Sequence, residues 1–301
     1  MTSKRAWLLG KALKLARTKA MFSDPVKLKA HLVKARKKKL AAPGKAMARK
    51  FNVTRMDRDG VPIFGMSPKT KSDHHILYIH GGAYVLDIQS VYWKFLGAMV
   101  DQTGSHVVVP CYPLAPESSW EASYAWMTEV YDDLVEKVGA KNITIMGDSA
   151  GAGFALGLTQ LLRDAKKPLP GKLVLLSPWL DVTMTDPMQP TLDRKDSILG
   201  INGLRAAGEW WAGNDGAVTS APVSPLFGDV EGLPPIAVFS GTFDLLWPDA
   251  RKLKEKADTA GVSLSYHEYP AMQHVWMLFP IPEAIGARKD ISEFINAQIL
   301  S

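Results

Sequence analysis

The chain has 301 residues, 47% of them hydrophobic, which suits one large domain with a small accessory piece and excludes a disordered chain. Its formal charge of +6 is uneven: residues 1–50 hold sixteen Lys and Arg against one acid, Asp24, for +15, and the rest of the chain carries −9. The single cysteine, Cys111, excludes an intrachain disulfide framework, no apolar run is long enough to span a bilayer, and no secretory cleavage site follows the basic start, so a cytoplasmic location is expected.

Residues 1–50 read as helical. Good helix formers run over 4–19 and again over 25–39, and Ala42-Pro43-Gly44 breaks the run. From about residue 51 short strands begin, with candidates at 61–66, 74–80, 107–110, 143–146, 173–177, 236–240 and 264–269. Helical stretches fall between most of them, at 91–102, 120–138, 150–165 and 248–260, and a last helix is expected over 281–300. Alternating strands and helices predict an α/β fold, with a mainly parallel sheet covered by helices on both faces. One connection is too long for a simple crossover. Nearly sixty residues separate Leu176 from Pro235, and an insertion is expected at about 182–224. Cys111 follows three valines and reads as a buried structural thiol.

The stretch "IMGDSAGAGFALG" puts Ser149 between glycines at 147 and 151, where a buried strand meets an apolar helix. A sharp strand-to-helix turn leaves no room for side chains two places from its corner, and glycine removes them. That is the nucleophile-elbow pattern G-x-S-x-G, with helix N–H groups aimed at the corner. Upstream, "YIHGGAYVL" ends a strand at His80 with two glycines. The N–H groups of Gly81 and Gly82, with that of Ala150 after the serine, are candidate oxyanion donors. A serine nucleophile needs a base, and the base an orienting acid. Only His267 and His274 follow Ser149. His267 lies in an alternating strand and His274 in the loop after it, so His274 is favoured. Asp244 sits just beyond a strand, whereas Asp249 reads as an N-terminal helix charge, so Asp244 is favoured.

These blocks, in order, are HGGAY at 80–84, YPLAPE at 112–117, GDSAG at 147–151, SPWLD at 177–181, Asp244 in "GTFDLLWPDA" and His274 in "MQHVW". The chain resembles the hormone-sensitive-lipase-like esterases, the bacterial family IV lipolytic enzymes, over roughly residues 60–300. The resemblance implies an α/β-hydrolase fold, no cofactor or metal, and hydrolysis of short acyl esters. It also implies that the N-terminal helices and the insertion after SPWLD form a cap. The sequence departs from the family pattern at Ala83, in place of the third glycine of HGGG. It departs again at Pro113, where arginine is common, and at Ala152-Gly153 after GDSAG.

The expected activity is therefore that of a serine carboxylesterase on a small-molecule ester. Ser149 is the nucleophile, His274 the base and Asp244 its orienting acid. His80 is expected to shape the oxyanion loop. Met184, Trp210 and Trp211 are candidates for a substrate pocket, with plain packing an equal alternative. A binding protein on the same scaffold and an amide hydrolase are the rival functions. No nucleic-acid partner is expected. The basic segment admits weak contact with an anionic membrane, set against a simple cap with solvated lysines. The oligomeric state is left open.

Overall fold

In a computed structural model the described residues are 2–15, 18–69, 72–213 and 216–298. Eight strands, β1 (Asn52–Arg58), β2 (Val61–Ser67), β3 (His75–Ile79), β4 (His106–Pro110), β5 (Ile143–Asp148), β6 (Lys172–Leu176), β7 (Ile236–Gly241) and β8 (Leu264–Tyr269), form one sheet. Their order is β1-β2-β4-β3-β5-β6-β7-β8. β1 and β2 pair antiparallel, as do β2 and β4, and every other pairing is parallel. The sheet thus has the parallel body that the alternating pattern predicts.

The central strands show why they were legible. Every residue of β5, β6 and β7 is buried, so each reads as a continuous run without alternation. Alternate residues of β3 feed two separate cores: Leu77 and Ile79 join one cluster, Ile76 and Tyr78 the other. The first core holds Phe154, Leu158 and Trp211, and the second Phe95, Met99 and Trp276. Strand β1 has the opposite character. Its sequence NVTRMDR is mostly exposed at the sheet edge, and no strand is expected there from its residues.

Helices cover both faces: α5 (Ser90–Thr103), α6 (Trp120–Val138), α7 (Ala150–Asp164), α10 (Trp247–Thr259) and α11 (Pro282–Asn296). The end of the helix expected over 281–300 lies outside the described residues. Among those residues, no helix is long and apolar enough to cross a membrane.

The basic start forms α1 (Lys4–Leu15), α2 (Thr18–Phe22), α3 (Pro25–Ala35) and α4 (Lys45–Lys50). Residues 16 and 17, inside the expected 4–19 helix, lie outside the described residues. The start of α3 was written in the sequence. Asp24 caps it by accepting the N–H groups of Val26 and Lys27, with Pro25 at the first helical position. Leu28 and Leu32, one turn apart, are its buried pair.

The long connection carries α8 (Gln189–Asp193) and α9 (Ile201–Ala212). Two hydrogen bonds tie its neck: the Val182 N–H donates to Ser224 Oγ at 2.9 Å, and the Leu226 N–H to the Leu180 carbonyl at 3.0 Å. This insertion packs directly on the basic N-terminal helices. Cβ atoms at Gly200 and Gly203 would collide with the backbone of Ser23 and Phe22. Only glycine permits that approach. Lys19 adds an ion pair to Asp193 at 3.2 Å and a hydrogen bond to the Asp196 carbonyl at 3.1 Å.

Candidate active site

Ser149 stands between β5 and α7 with φ 54 and ψ −124. This is a backbone conformation that costs a non-glycine residue about 1–3 kcal/mol. Three things hold it there. Its N–H donates to the Leu176 carbonyl at 2.8 Å, its carbonyl accepts the Trp179 N–H at 3.1 Å, and the chain is crowded on both sides. A Cβ at Gly147 would strike the Gly151 carbonyl, and one at Gly151 would strike the carbonyls of Ile79 and His80. The two glycines of the sequence pattern are thus required by close backbone approach.

His274 and Asp244 arrive from the loops after β8 and β7. His274 Nδ1 lies 2.9 Å from Asp244 Oδ2, and both side chains are buried. Burial pulls the imidazole pKa down. Asp244, with Asp196 and Asp148 adding to it, outweighs burial and leaves that pKa raised. Ser149 and His274 line one cavity of about 330 Å³, together with Gly82, Ala83 and Asp148. A larger hollow of about 620 Å³ against β1 and β2 contains none of the three residues Ser149, Asp244 and His274.

The oxyanion loop differs from expectation. The Gly81 N–H donates to Asp148 Oδ1 at 2.8 Å, so that donor is already committed and Gly81 leaves the candidate set. Asp148 also accepts the hydroxyls of Tyr78 at 2.6 Å and Tyr92 at 3.1 Å. Burial is the largest influence on this carboxyl and leaves its pKa raised in spite of those donors. Asp148 therefore ties the HGGAY loop to the elbow. Among the described residues the N–H groups of Gly82, Ala83 and Ala150 have no protein acceptor. Ala83 and Tyr84 both take positive φ, 55 and 62, so the position where the family has a third glycine keeps a left-handed backbone without one. His80 is buried with Nδ1 2.8 Å from the Gly81 carbonyl and its ring stacked on Tyr112. Burial lowers its pKa, so it is a neutral support of the loop.

The rejected alternatives lie elsewhere. His267 stacks on Phe239 and has Nε2 2.8 Å from Ser265 Oγ. Asp249 does sit in the first turn of α10, but it is fully buried and accepts the N–H groups of Leu180 and Asp181 at 3.2 and 3.1 Å. Burial, with the Asp181 charge second, pushes its carboxyl up to about 8. At neutral pH it is protonated, so it supplies no charge to the helix dipole.

The three candidate pocket residues are not on the cavity wall. Trp211 is fully buried with its ring stacked on Tyr84 at 4.2 Å, and Met184 Sδ lies 3.1 Å from Trp179 Nε1. Trp210 is half-buried at the edge of that core. Trp211 and Met184 belong to the core, and Trp210 packs against it. The wall is built instead by Leu13, Met21 and Phe22 of the N-terminal helices and by Ile198, Leu199 and Leu204 of the insertion.

Several supporting residues escaped the sequence analysis. Ser177 Oγ accepts the N–H of Val275, next to His274, at 3.0 Å. Gln273, on its other side, accepts the Ser197 N–H at 2.8 Å. Asp196 Oδ1 accepts the N–H groups of Ile198 and Leu199 at 2.7 and 2.8 Å, and its Oδ2 accepts that of Leu245 at 2.8 Å. The local turn made by Asp196 is an ordinary aspartate signal. Its reach to Leu245 spans 49 residues and has no sequence signature.

A parallel sheet with a strained serine at a strand-to-helix corner and a His–Asp pair from later loops defines an α/β hydrolase. A family model described as alpha/beta hydrolase fold matches residues 76–278. An esterase of Acinetobacter venetianus is 34% identical over 225 residues, covering 74% of each chain. An acetyl-hydrolase of Streptomyces hygroscopicus is 35% identical over 211 residues, 69% of this chain and 70% of its own. The crystal structure of an esterase from the bacterial hormone-sensitive lipase family superposes with a TM-score of 0.82 at 27% identity, over 98% of this chain and 99% of that one. The chain belongs to the α/β-hydrolase family, in its hormone-sensitive-lipase-like branch, and is a carboxylic ester hydrolase.

Proposed function

We propose that this enzyme is a serine carboxylesterase for short acyl esters. The observation that carries the reading is the shared cavity of Ser149 and His274, with His274 Nδ1 2.9 Å from Asp244. His274 Nε2 takes the Ser149 proton as Oγ attacks the ester carbonyl. Asp244 fixes the imidazole tautomer and stabilises the imidazolium. The N–H groups of Gly82, Ala83 and Ala150 receive the oxyanion. His274 then protonates the leaving alkoxide. A water, deprotonated by the same imidazole, releases the acid from the acyl-serine. No step draws on a cofactor or metal.

The preference for short acyl groups is supported by the size of the cavity, about 330 Å³ with apolar walls, and by the likeness to an acetyl-hydrolase. Residues 1–50 and 182–224 act together as the cap, since both supply its wall. A cytoplasmic site of action agrees with the lone buried thiol of Cys111.

The test is Ser149→Ala measured on a series of nitrophenyl esters from acetyl to palmitoyl, with fluorophosphonate labelling read by mass spectrometry. Labelling at Ser149 alone, a loss of at least about a thousandfold, and a maximum between acetyl and about hexanoyl are expected. Retained rates in Ser149→Ala would sink the serine mechanism. A palmitoyl maximum would sink the short-chain assignment alone. Faster turnover of matched anilides than of esters would make the enzyme an amidase.

A further inference from the structure

The catalytic reading leaves the outer face of the N-terminal helices unused. The inner face is accounted for: Ala6 of α1, Phe22 of α2, and Leu28 and Leu32 of α3 are buried, and Leu13, Met21 and Phe22 reach the cavity. The apolar side drawn for α1 from the sequence is therefore split. Leu9 and Leu13 turn inward, while Leu8 and Leu15 turn outward. Trp7 is 57% exposed, Leu15 83% and, on α3, Val26 77%. Five of the nine large apolar side chains exposed among the described residues lie within the first 33 positions, so the pattern is a concentration rather than the usual scatter.

The same N-terminal segment is densely basic. Lys11 lies 3.8 Å from the Trp7 ring centroid. Of the cluster at 34–39, Arg36 is spent internally on Glu117 at 3.0 Å and on the Ala115 carbonyl at 3.1 Å. Among the described residues, Lys11, Lys14, Lys34, Lys37, Lys38 and Lys39 have no carboxylate within 4.0 Å. Residues 1–50 carry +15 and the rest of the chain −9, so an anionic surface attracts one pole of the molecule and repels the other.

We propose that this outer face docks the enzyme on an anionic lipid surface, with Trp7, Leu8 and Leu15 entering the headgroup layer among the lysines. Exposed aromatic and aliphatic side chains interleaved with lysine are what an interfacial helix presents. A polyanion such as duplex nucleic acid would use the lysines and leave the apolar side chains idle. Because Leu13 and Met21 of the same helices line the cavity, docking sets the cavity wall beside the lipid. An ester dissolved in the bilayer then meets the enzyme without first crossing bulk water.

The test is flotation of the full chain with vesicles of phosphatidylcholine alone, or with about one-third phosphatidylglycerol, at about 0.05 and 0.5 M NaCl. Binding is read without turnover, so its outcome is independent of the esterase mechanism. Partition onto anionic vesicles at low salt should exceed that onto neutral ones by at least about tenfold, and high salt should release it. A triple variant Lys11→Glu, Lys14→Glu, Lys34→Glu should lose about a hundredfold or more. The double variant Trp7→Ser, Leu8→Ser should lose about tenfold. Both should hydrolyse soluble nitrophenyl butyrate within twofold of the parent and keep its melting temperature, which separates docking from misfolding. Three results would each overturn the proposal: no flotation with anionic vesicles at low salt, equal binding to neutral vesicles, or anionic binding that the Trp7, Leu8 double variant leaves unchanged. A salt-sensitive dimer in place of vesicle binding would also overturn it, assigning the basic face to the acidic body of a second copy.

Discussion

Asp196 Oδ2 accepts the N–H of Leu245 at 2.8 Å, one residue beyond Asp244. The bond joins the insertion to the loop that carries Asp244. The neighbouring Ser197 N–H is bonded to Gln273 at 2.8 Å, one residue before His274. On its other side Asp196 orders Ile198 and Leu199, which line the cavity. Asp196 and Ser197 of the insertion therefore hold both partner loops, and Asp196 also orders two residues of the cavity wall.

Asp196→Asn keeps the shape but halves the acceptor capacity and removes a charge. Burial, with Asp244 second, raises this carboxyl to about 6, so it is ionised at neutral pH and helps hold the His274 imidazolium. The expected result is a fall in kcat of roughly ten- to a hundredfold, as for a displaced catalytic group, with little change in KM. The acid limb of the pH profile should also move to lower pH. A purely structural role would lower Tm and leave that limb in place.

The His274 pKa is raised, and the base must be neutral to act. The ascending limb of kcat/KM against pH should therefore lie above the ordinary imidazole value of about 6.5, with activity growing as pH rises through it. Asp244→Asn removes the leading favourable charge and should cost about ten-thousandfold at neutral pH. His274→Ala should be as severe. His267→Ala, within β8 and absent from the cavity wall, should stay within about threefold. A severe loss at His267 would reassign the base.

What the sequence made legible follows from how local each feature is. The elbow glycines and the buried β5–β7 runs each depend on neighbours a few residues away. Other features were set by contacts distant in sequence. Gly81 and Gly82 read as equivalent donors until Asp148, 67 residues on, claims one of them. Trp210, Trp211 and Met184 read equally as pocket or packing residues because they lie in the insertion. Trp211 stacking on Tyr84 is a matter of which side of α9 meets the HGGAY loop. Strand β1 pairs through its backbone with β2 from Asn52↔Ser67 to Arg58↔Val61, and an exposed edge strand needs no apolar pattern to do so.

Asp249 offers a stability test apart from catalysis. Its carboxyl is pushed up to about 8 by burial and by Asp181, against about 3.9 in an unfolded chain. The folded state holds the proton that the unfolded state releases. Stability from this group is therefore full below about pH 4 and is lost as pH rises to about 8. Asp249→Asn cannot ionise and should flatten that decline. In urea melts, the gap between pH 5 and pH 8 should shrink by about 2–4 kcal/mol, with esterase activity within about threefold of the parent. An unchanged gap would mean that Asp249 is ionised in the fold.

The acyl wall can be probed where the insertion meets the N-terminal helices. Leu204 of α9 is buried and lines the cavity. Leu204→Ala removes three methylene-sized groups from an apolar wall and leaves room for a longer acyl chain. Each additional buried methylene of substrate is worth about 0.8 kcal/mol, or roughly fourfold in kcat/KM. The chain-length maximum should move up by about two carbons, at a stability cost of about 2–5 kcal/mol for the lost side chain. Trp211→Phe, away from the wall, should leave the maximum where it is. If Trp211→Phe moves the maximum and Leu204→Ala does not, the acyl group lies against the Tyr84–Trp211 stack instead of the cap interface.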